Sequence, residues 1–282
     1  MAPVRRAAVA GSWYPAQPEA LAREVDRYLS AVRDLPVGRP LAIIAPHAGL
    51  MYSGPIAAHA YRLLYGHDIE IAVLVGPSHY VGFEGAAIYE RGAFDTPFGH
   101  AIVAEDCAAA LVAASPLIGP HPTAHAREHS LEMQLPFLKR VLPDAHIVPI
   151  VMGYQRRETA YAIGDAIAGA VSGRKAVLVA STDLSHYHNA PAAVRLDRKV
   201  IHHVERFDAD GLMSLLESCP EHACGGGPTV SVMRAARALG APDARVLKYG
   251  DSSDVSGDKD AVVGYLAAAF GTFAQGSSDA SA

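Results

Sequence analysis

Apolar residues along the chain form two alternating kinds of segment, which predict buried strands and amphipathic helices. Runs that are almost entirely apolar predict strands covered on both faces, because a half-exposed strand would alternate with polar residues. Such runs occupy residues 41–45, 69–75, 145–152, 176–180 and 261–270, with shorter strands predicted at 85–89, 101–104 and 245–249. Apolar residues three or four positions apart predict helices at residues 19–35, 54–65, 106–114, 128–142, 158–170, 190–207, 210–217 and from about 228 to 239.

This alternation of strands and helices predicts the fold class. Helices between successive strands are typical of an α/β fold, here a single domain with a mostly parallel or mixed central sheet flanked by helices. The chain contains no internal repeat and no linker long enough to separate two domains. Residues 275–282, which are small and polar, are expected to form a disordered tail.

Three of the apolar runs end abruptly in residues that can titrate or bind a metal. The sequence IIAPHAG ends at His47, LVGPSHY at His79, and LVASTDLSH at Asp183 and His186. Ligands of α/β sheets bind outside the carboxyl ends of the strands, so neighbouring parallel strands would place these four residues around one crevice. Clustered imidazoles are typical of a metal site and, less often, of an acid–base relay.

Cys224 is a further candidate because it precedes three glycines and a proline that begin a helix. A helix N-terminus lowers the pKa of a nearby thiol, and the resulting thiolate is a nucleophile or a soft metal ligand. The glycines predict a flexible loop that approaches another group closely. Two histidines with a cysteine would bind zinc, copper or iron, and spacing alone does not choose among them. Cys107, in an alanine-rich segment, is expected to be a small buried residue.

The segment AHAREHSLEMQ adds His125, Glu128, His129 and Glu132. It is not the H-E-x-x-H motif of zinc proteases, because no glutamate follows the first histidine. Two interpretations stay open: a helix N-terminus with solvated acids and two histidines on one face, or residues that support a neighbouring site. Five other histidines are predicted to be surface residues: His121, His188, His202, His203 and His222.

Composition narrows the functional classes. Among 282 residues, 50% are hydrophobic and 19% are charged, and the formal net charge is -5. An acidic chain without basic runs is not expected to bind nucleic acid. The N-terminus lacks a signal-peptide core and no apolar run could span a bilayer, so we expect no membrane association. Three cysteines cannot form a disulfide framework, and a cytoplasmic location is expected.

Several motifs, taken together, resemble those of the Memo family, also called AmmeMemoRadiSam system protein B. They occur in order over nearly the whole chain: AGSWYPA, PHAGLMYSGPIAAHAY, VGPSHY, TPFG, EHSLEMQLPFL, STDLSHYH, CGGGP and YGDSSDVSGD. The resemblance implies that residues 1–274 form a Memo-like α/β domain, similar in fold to the LigB-type class III extradiol dioxygenases, which are non-haem iron enzymes.

The resemblance also implies a metal pocket. His47, His79 and Cys224 match the metal ligands, while Asp183 and His186 match catalytic residues of the same pocket, with His186 as the acid–base group. Fe(II) is the expected ion, as in the dioxygenases. Cys224 stands where those enzymes have a carboxylate, and this softer ligand also admits copper, while zinc is the least expected of the three ions.

These residues support three functional hypotheses. The first is a redox-active iron or copper protein with oxidoreductase chemistry. The second is a non-catalytic module that binds a small-molecule or peptide ligand in the same pocket. The third is a thiol hydrolase that uses Cys224 and His186, which leaves the other two histidines without a role.

Overall fold

A mixed sheet of nine strands forms the centre of the protein in a computed structural model that describes residues 3–274. The tail expected at 275–282 lies outside the described residues. The described residues contain twelve strands: β1 Val4–Arg5, β2 Gly38–Ala45, β3 Ile71–Pro77, β4 Ala86–Ile88, β5 Ala93–Phe94, β6 Ala101–Ile102, β7 Ile118–Pro120, β8 His146–Met152, β9 Ala176–Ser181, β10 His186–His188, β11 Asp243–Asp251 and β12 Val262–Phe273. Three of them, β1, β5 and β6, form a separate small sheet.

Helices cover both faces of this sheet. They are α1 Pro18–Ala31, α2 Leu50–Leu63, α3 Glu105–Ala114, α4 Pro122–Ala126, α5 Leu135–Val141, α6 Arg157–Val171, α7 Ala190–Glu205, α8 Ala209–Ser218, α9 Gly226–Ala238 and α10 Ser253–Ser256, with 3-10 turns at Glu132–Gln134 and Pro220–His222. No helix in the described range combines the length and the apolar character that crossing a bilayer requires.

The order of the strands explains where the predicted site residues lie. The sheet runs β10-β12-β2-β9-β3-β8-β4-β7, with β11 also paired to β12. Its four central strands, β2, β9, β3 and β8, are parallel, and antiparallel strands extend them on both sides. Ala45 pairs with Ser181 and Val75 with Ala180, so β2, β9 and β3 end at the same edge. The predicted α/β fold class is confirmed, in its mixed form.

Three predicted helices differ from the observed ones. The helix expected at 19–35 ends at Ala31. The helix expected at 54–65 begins at Leu50, and Pro55 lies inside it rather than in its first turn. The helix expected at 128–142 is wrong as one element, because only the 3-10 turn and α5 are helical there. Glu128 and Glu132 are both buried and bonded to distant segments, so the interpretation of solvated acids is also wrong.

The glycines after Cys224 form a close packing contact rather than a flexible loop. A Cβ added at Gly225 would lie 2.2 Å from the backbone oxygen of Ser181, and one at Gly227 would lie 2.7 Å from Sδ of Met152. These glycines therefore allow the start of α9 to approach the carboxyl end of β9.

A buried ion pair fastens the N-terminal segment to the region around Glu132. The guanidinium of Arg5 pairs with the carboxylate of Glu132 and also donates to the backbone oxygens of His125 and Glu128. Glu132 further accepts hydrogen bonds from the Tyr14 hydroxyl at 2.7 Å and from two backbone N–H groups of residues 8 and 9. Residues 3–14 thus clamp the segment 125–134 from outside the sheet.

We predict that Arg5→Met lowers the free energy of unfolding by about 3–5 kcal/mol, because it leaves a buried carboxylate without its cation. Urea denaturation measures the loss. The matched control is Arg140→Met, which breaks an exposed pair with Asp26 and should cost at most about 1 kcal/mol. Equal losses in the two variants would contradict the structural role of Arg5.

Gly225→Ala should destabilise the protein, because the new methyl group would overlap backbone that cannot move without shifting β9. Gly169→Ala is the control. Gly169 is an exposed residue of α6 with no atom near its added Cβ, so alanine there should stabilise the helix by about 0.5–1 kcal/mol. Thermal and urea unfolding of both variants test the contrast, and a stabilised Gly225→Ala would refute it.

Candidate metal centre

The edge where β2, β3 and β9 end brings together His47, His79 and Cys224. One ring nitrogen of each histidine and the Cys224 sulfur all lie within 4.8 Å of one another. His47 follows β2, His79 follows β3, and Cys224 reaches the same point from the start of α9. His47 is buried, and the side chain of His79 is 27% exposed, so the cluster has one side open towards solvent.

Hydrogen bonds determine which nitrogen of His47 carries the proton. The hydroxyl of Ser181 donates to the backbone oxygen of Ser130 at 2.6 Å, so its oxygen must accept from the Nδ1 of His47 at 2.9 Å. The amide of Gln134 also donates from Nε2 to this hydroxyl oxygen, and to the backbone oxygen of Pro46, so the single hydroxyl proton of Ser181 stays directed at Ser130. His47 is therefore protonated on Nδ1 and presents the lone pair of Nε2 to the pocket.

A carboxylate sets the same tautomer in His79. The Nδ1 of His79 donates to Glu128 at 2.9 Å, and the backbone N–H groups of His79 and Ser130 donate to the same carboxylate. Burial raises the pKa of Glu128, but the hydrogen bond from His79, the charge of a protonated His79 and the two backbone hydrogen bonds outweigh it and lower the pKa to about 2. An ionised carboxylate can only accept, so in the neutral imidazole of His79 the proton lies on Nδ1 and Nε2 keeps the lone pair.

The thiol of Cys224 lies 3.2 Å from Nε2 of His47 and accepts a hydrogen bond from the backbone N–H of Asp183 at 3.3 Å. Burial, and then the nearby charge of Asp183, raise the pKa of Cys224 far above its ordinary value. The predicted lowering of this pKa by the helix N-terminus is therefore wrong, because burial raises the pKa instead.

Asp183 and His186 occupy different positions around this cluster. Asp183 is buried, and its carboxylate accepts from the backbone N–H of His47 at 2.7 Å, so it joins the turns after β2 and β9. Burial raises the pKa of Asp183 despite that bond. His186 is partly exposed and lies close enough for its charge to lower the pKa values of both His47 and Asp183.

His129 is the main pocket residue whose place the sequence left open. Its ring stacks on His79 with centroids 4.4 Å apart, lies 4.4 Å from the ring of Trp13, and is 5.6 Å from that of His47. Its Nδ1 is 3.3 Å from the Tyr80 hydroxyl. Burial, followed by the charges of His47 and His79, lowers the pKa of His129 to about 4. His129 therefore lines the pocket as a neutral imidazole.

The remaining histidines are outside this cluster. His125 is buried on α4, where Nε2 lies 3.2 Å from the backbone oxygen of Ala87, so it does not share a helical face with His129. His222 is buried as well, which makes its predicted surface position wrong. The others predicted at the surface are at least partly exposed: His121, His188, His202 and His203.

The donor set fits a metal ion. Burial lowers the pKa of His47 well below its usual range, which keeps its imidazole neutral as metal binding requires. A ring nitrogen of each histidine and a sulfur converge, and Nδ1 of each imidazole is bonded to an oxygen acceptor. Such acceptors behind ligating histidines are the usual support of protein metal sites.

A cavity of about 670 Å³ lies elsewhere, at the amino ends of β3 and β8. Its lining includes Arg174, which is paired with Asp106, and Glu70, which is paired with Lys175. Because these charged groups are already paired with one another, the cavity offers no free charged group for catalysis or metal binding among them, and its size alone does not make it a candidate active site.

Glu128→Gln should weaken metal binding about 10–100-fold, because an amide can offer its NH₂ group to Nδ1 and release the tautomer that Glu128 imposes. Competition with a chromophoric chelator measures the dissociation constant. Glu158→Gln, at an exposed glutamate of α6, is the control and should bind metal like the wild type. Unchanged affinity in Glu128→Gln would contradict the role of this carboxylate.

Comparison with solved structures supports the fold. The crystal structure of the uncharacterized protein JW3007 from Escherichia coli K12 aligns with a TM-score of 0.54 at 16% sequence identity, covering 83% of this chain and 100% of the other. At that identity the similarity concerns the fold alone.

Comparison of sequences identifies the family. The family model described as Memo-like protein matches residues 5–269. The MEMO1 family protein MTH_45 of Methanothermobacter thermautotrophicus is 38% identical over 272 residues, covering 93% of this chain and 98% of its own. The MEMO1 family protein MK0963 of Methanopyrus kandleri is 38% identical over 279 residues, covering 94% and 98%. The chain therefore belongs to the Memo family.

Proposed function

We propose that this protein is a redox-active non-haem metal protein that holds Fe(II), or alternatively copper, with His47, His79 and Cys224. The observation that carries the proposal is the hydrogen bonding that occupies Nδ1 of both imidazoles, beside the convergence of a ring nitrogen from each histidine and the Cys224 sulfur. Iron or copper with these ligands would supply oxidoreductase chemistry at an open coordination position.

Other side chains of the pocket would serve that chemistry without binding the ion. We assign proton transfer to His186, which is partly exposed and interacts electrostatically with His47 and Asp183. Asp183 is assigned a positioning role, because its carboxylate holds the backbone of His47. Burial raises the pKa of the Cys224 thiol, which does not favour the thiolate that the hydrolase hypothesis requires.

A second candidate function, recognition of a small-molecule or peptide ligand without turnover, is favoured by the rim of the pocket. Trp13 is 37% and Tyr80 is 49% exposed beside His129, and Tyr187 is 78% exposed beside His186. Exposed aromatic rings are typical of binding surfaces. This function would use the same pocket. Measuring the metal content of the protein distinguishes it from the redox function.

Metal analysis of anaerobically purified protein tests the proposal. We expect about one equivalent of iron or copper, lost in Cys224→Ala and in His79→Ala because each removes a ligand. Cys107→Ala is the matched control, since Cys107 is a fully buried cysteine of α3 outside the cluster, and it should keep the metal. A metal-free wild type that also fails to take up Fe(II) or Cu(I) would refute the proposal.

His186→Ala separates binding from chemistry. We expect it to retain the metal, because His186 is not among the three ligands, and to slow oxygen uptake by the Fe(II)-loaded protein roughly 10²–10⁴-fold if His186 transfers protons. An oxygen electrode measures the rate. Loss of metal in this variant, or uptake at the wild-type rate, would contradict the assignment.

A further inference from the structure

A group of side chains that could hold a metal ion, away from the central pocket, lies in the connection between α8 and α9. The sulfur of Cys219, a carboxylate oxygen of Glu221 and a ring nitrogen of His222 all lie within 4.8 Å of one another. This group shares no residue with the pocket of His47, His79 and Cys224, and its three members span only four positions of the chain.

The local backbone explains why these side chains converge. The 3-10 turn Pro220–His222 follows α8 directly, and both the backbone N–H and the Nδ1 of His222 lie within hydrogen-bond distance of the backbone oxygen of Cys219, at 3.3 and 3.0 Å. The turn thus folds His222 back over Cys219. Because a carbonyl oxygen only accepts, Nδ1 carries the proton and Nε2 keeps its lone pair.

That lone pair has no partner within the described part of the chain. His222 is 1% exposed, and its Nε2 is buried without a hydrogen bond. A buried polar atom without a partner costs about 1–3 kcal/mol, so such atoms are normally satisfied by protein, by water or by a ligand. An imidazole with one nitrogen bonded to a carbonyl and the other free is in the state in which histidine binds metals.

The chemistry of the three side chains indicates the kind of ion. A thiol, an imidazole and a carboxylate together suit zinc, which accepts sulfur, nitrogen and oxygen ligands in one tetrahedral site. Cys219 is partly exposed and Glu221 is exposed, so solvent can reach the group and water can complete the coordination. Binding would release the proton of the Cys219 thiol to solvent.

We propose that Cys219, Glu221 and His222 form a Zn²⁺ site separate from the central pocket. An ion held there would fasten the turn that begins one residue after Cys219 and ends two residues before Cys224. This proposal is independent of the redox function, since none of its ligands belongs to the central pocket.

Zinc titration of the full chain carrying His47→Ala and His79→Ala tests the proposal, because these changes remove two of the three ligands of the central pocket. We expect about one equivalent of Zn²⁺ to remain, with its dissociation constant raised at least tenfold by Glu221→Gln and by Cys219→Ser. Glu221 is exposed, so its substitution leaves the packing intact. Glu158→Gln is the control and should not change the affinity.

Thiol alkylation gives a second readout in the same background. Cys107 is fully buried and Cys219 is partly exposed, so iodoacetamide should label Cys219, identified by peptide mass, faster than Cys107. Zn²⁺ should slow the labelling of Cys219 at least tenfold, and a chelator should restore it. The absence of a residual zinc equivalent, or labelling at the same rate with and without Zn²⁺, would overturn the proposal.

Discussion

The candidate metal centre depends on two hydrogen bonds that face away from it. One joins Nδ1 of His47 to the hydroxyl oxygen of Ser181, and the other joins Nδ1 of His79 to the carboxylate of Glu128. In each case the partner oxygen can only accept at that position, so the proton of the imidazole is fixed on the outer nitrogen. The inner nitrogens are therefore available together, beside the sulfur of Cys224, in a pocket too buried to favour charge.

These two bonds depend in turn on the segment 125–134. It supplies Glu128 to His79, and its Ser130 and Gln134 fix the hydroxyl of Ser181 behind His47. The segment has little regular helix, and the buried pair of Arg5 with Glu132 holds it from the outside. A stable N-terminal clamp is thus a condition for the correct tautomers, which links the start of the chain to the chemistry of the pocket.

Local patterns predicted the fold and the positions of most candidate ligands. Buried strands are visible as apolar runs, and His47 and His79 stand directly after two of them, so the topology alone brings them to one edge. The supporting contacts were not predictable, because Glu128 and Ser181 meet their partners across 49 and 134 positions of the chain. The leucines of 131–138 have helical spacing because they pack into the core, and this spacing wrongly predicted one continuous helix. It gave no indication that Glu132 is buried and paired with Arg5, which is distant in sequence.

The tautomers of the two histidines are the most direct measure of this account. Long-range ¹H–¹⁵N correlation spectra of the metal-free protein, assigned by His47→Gln and His79→Gln, report the protonation of each ring nitrogen. The two hydrogen bonds predict that both histidines are protonated on Nδ1 and unprotonated on Nε2 near neutral pH. A proton on Nε2 of either residue would contradict this prediction, because the lone pair would then point away from the thiol of Cys224.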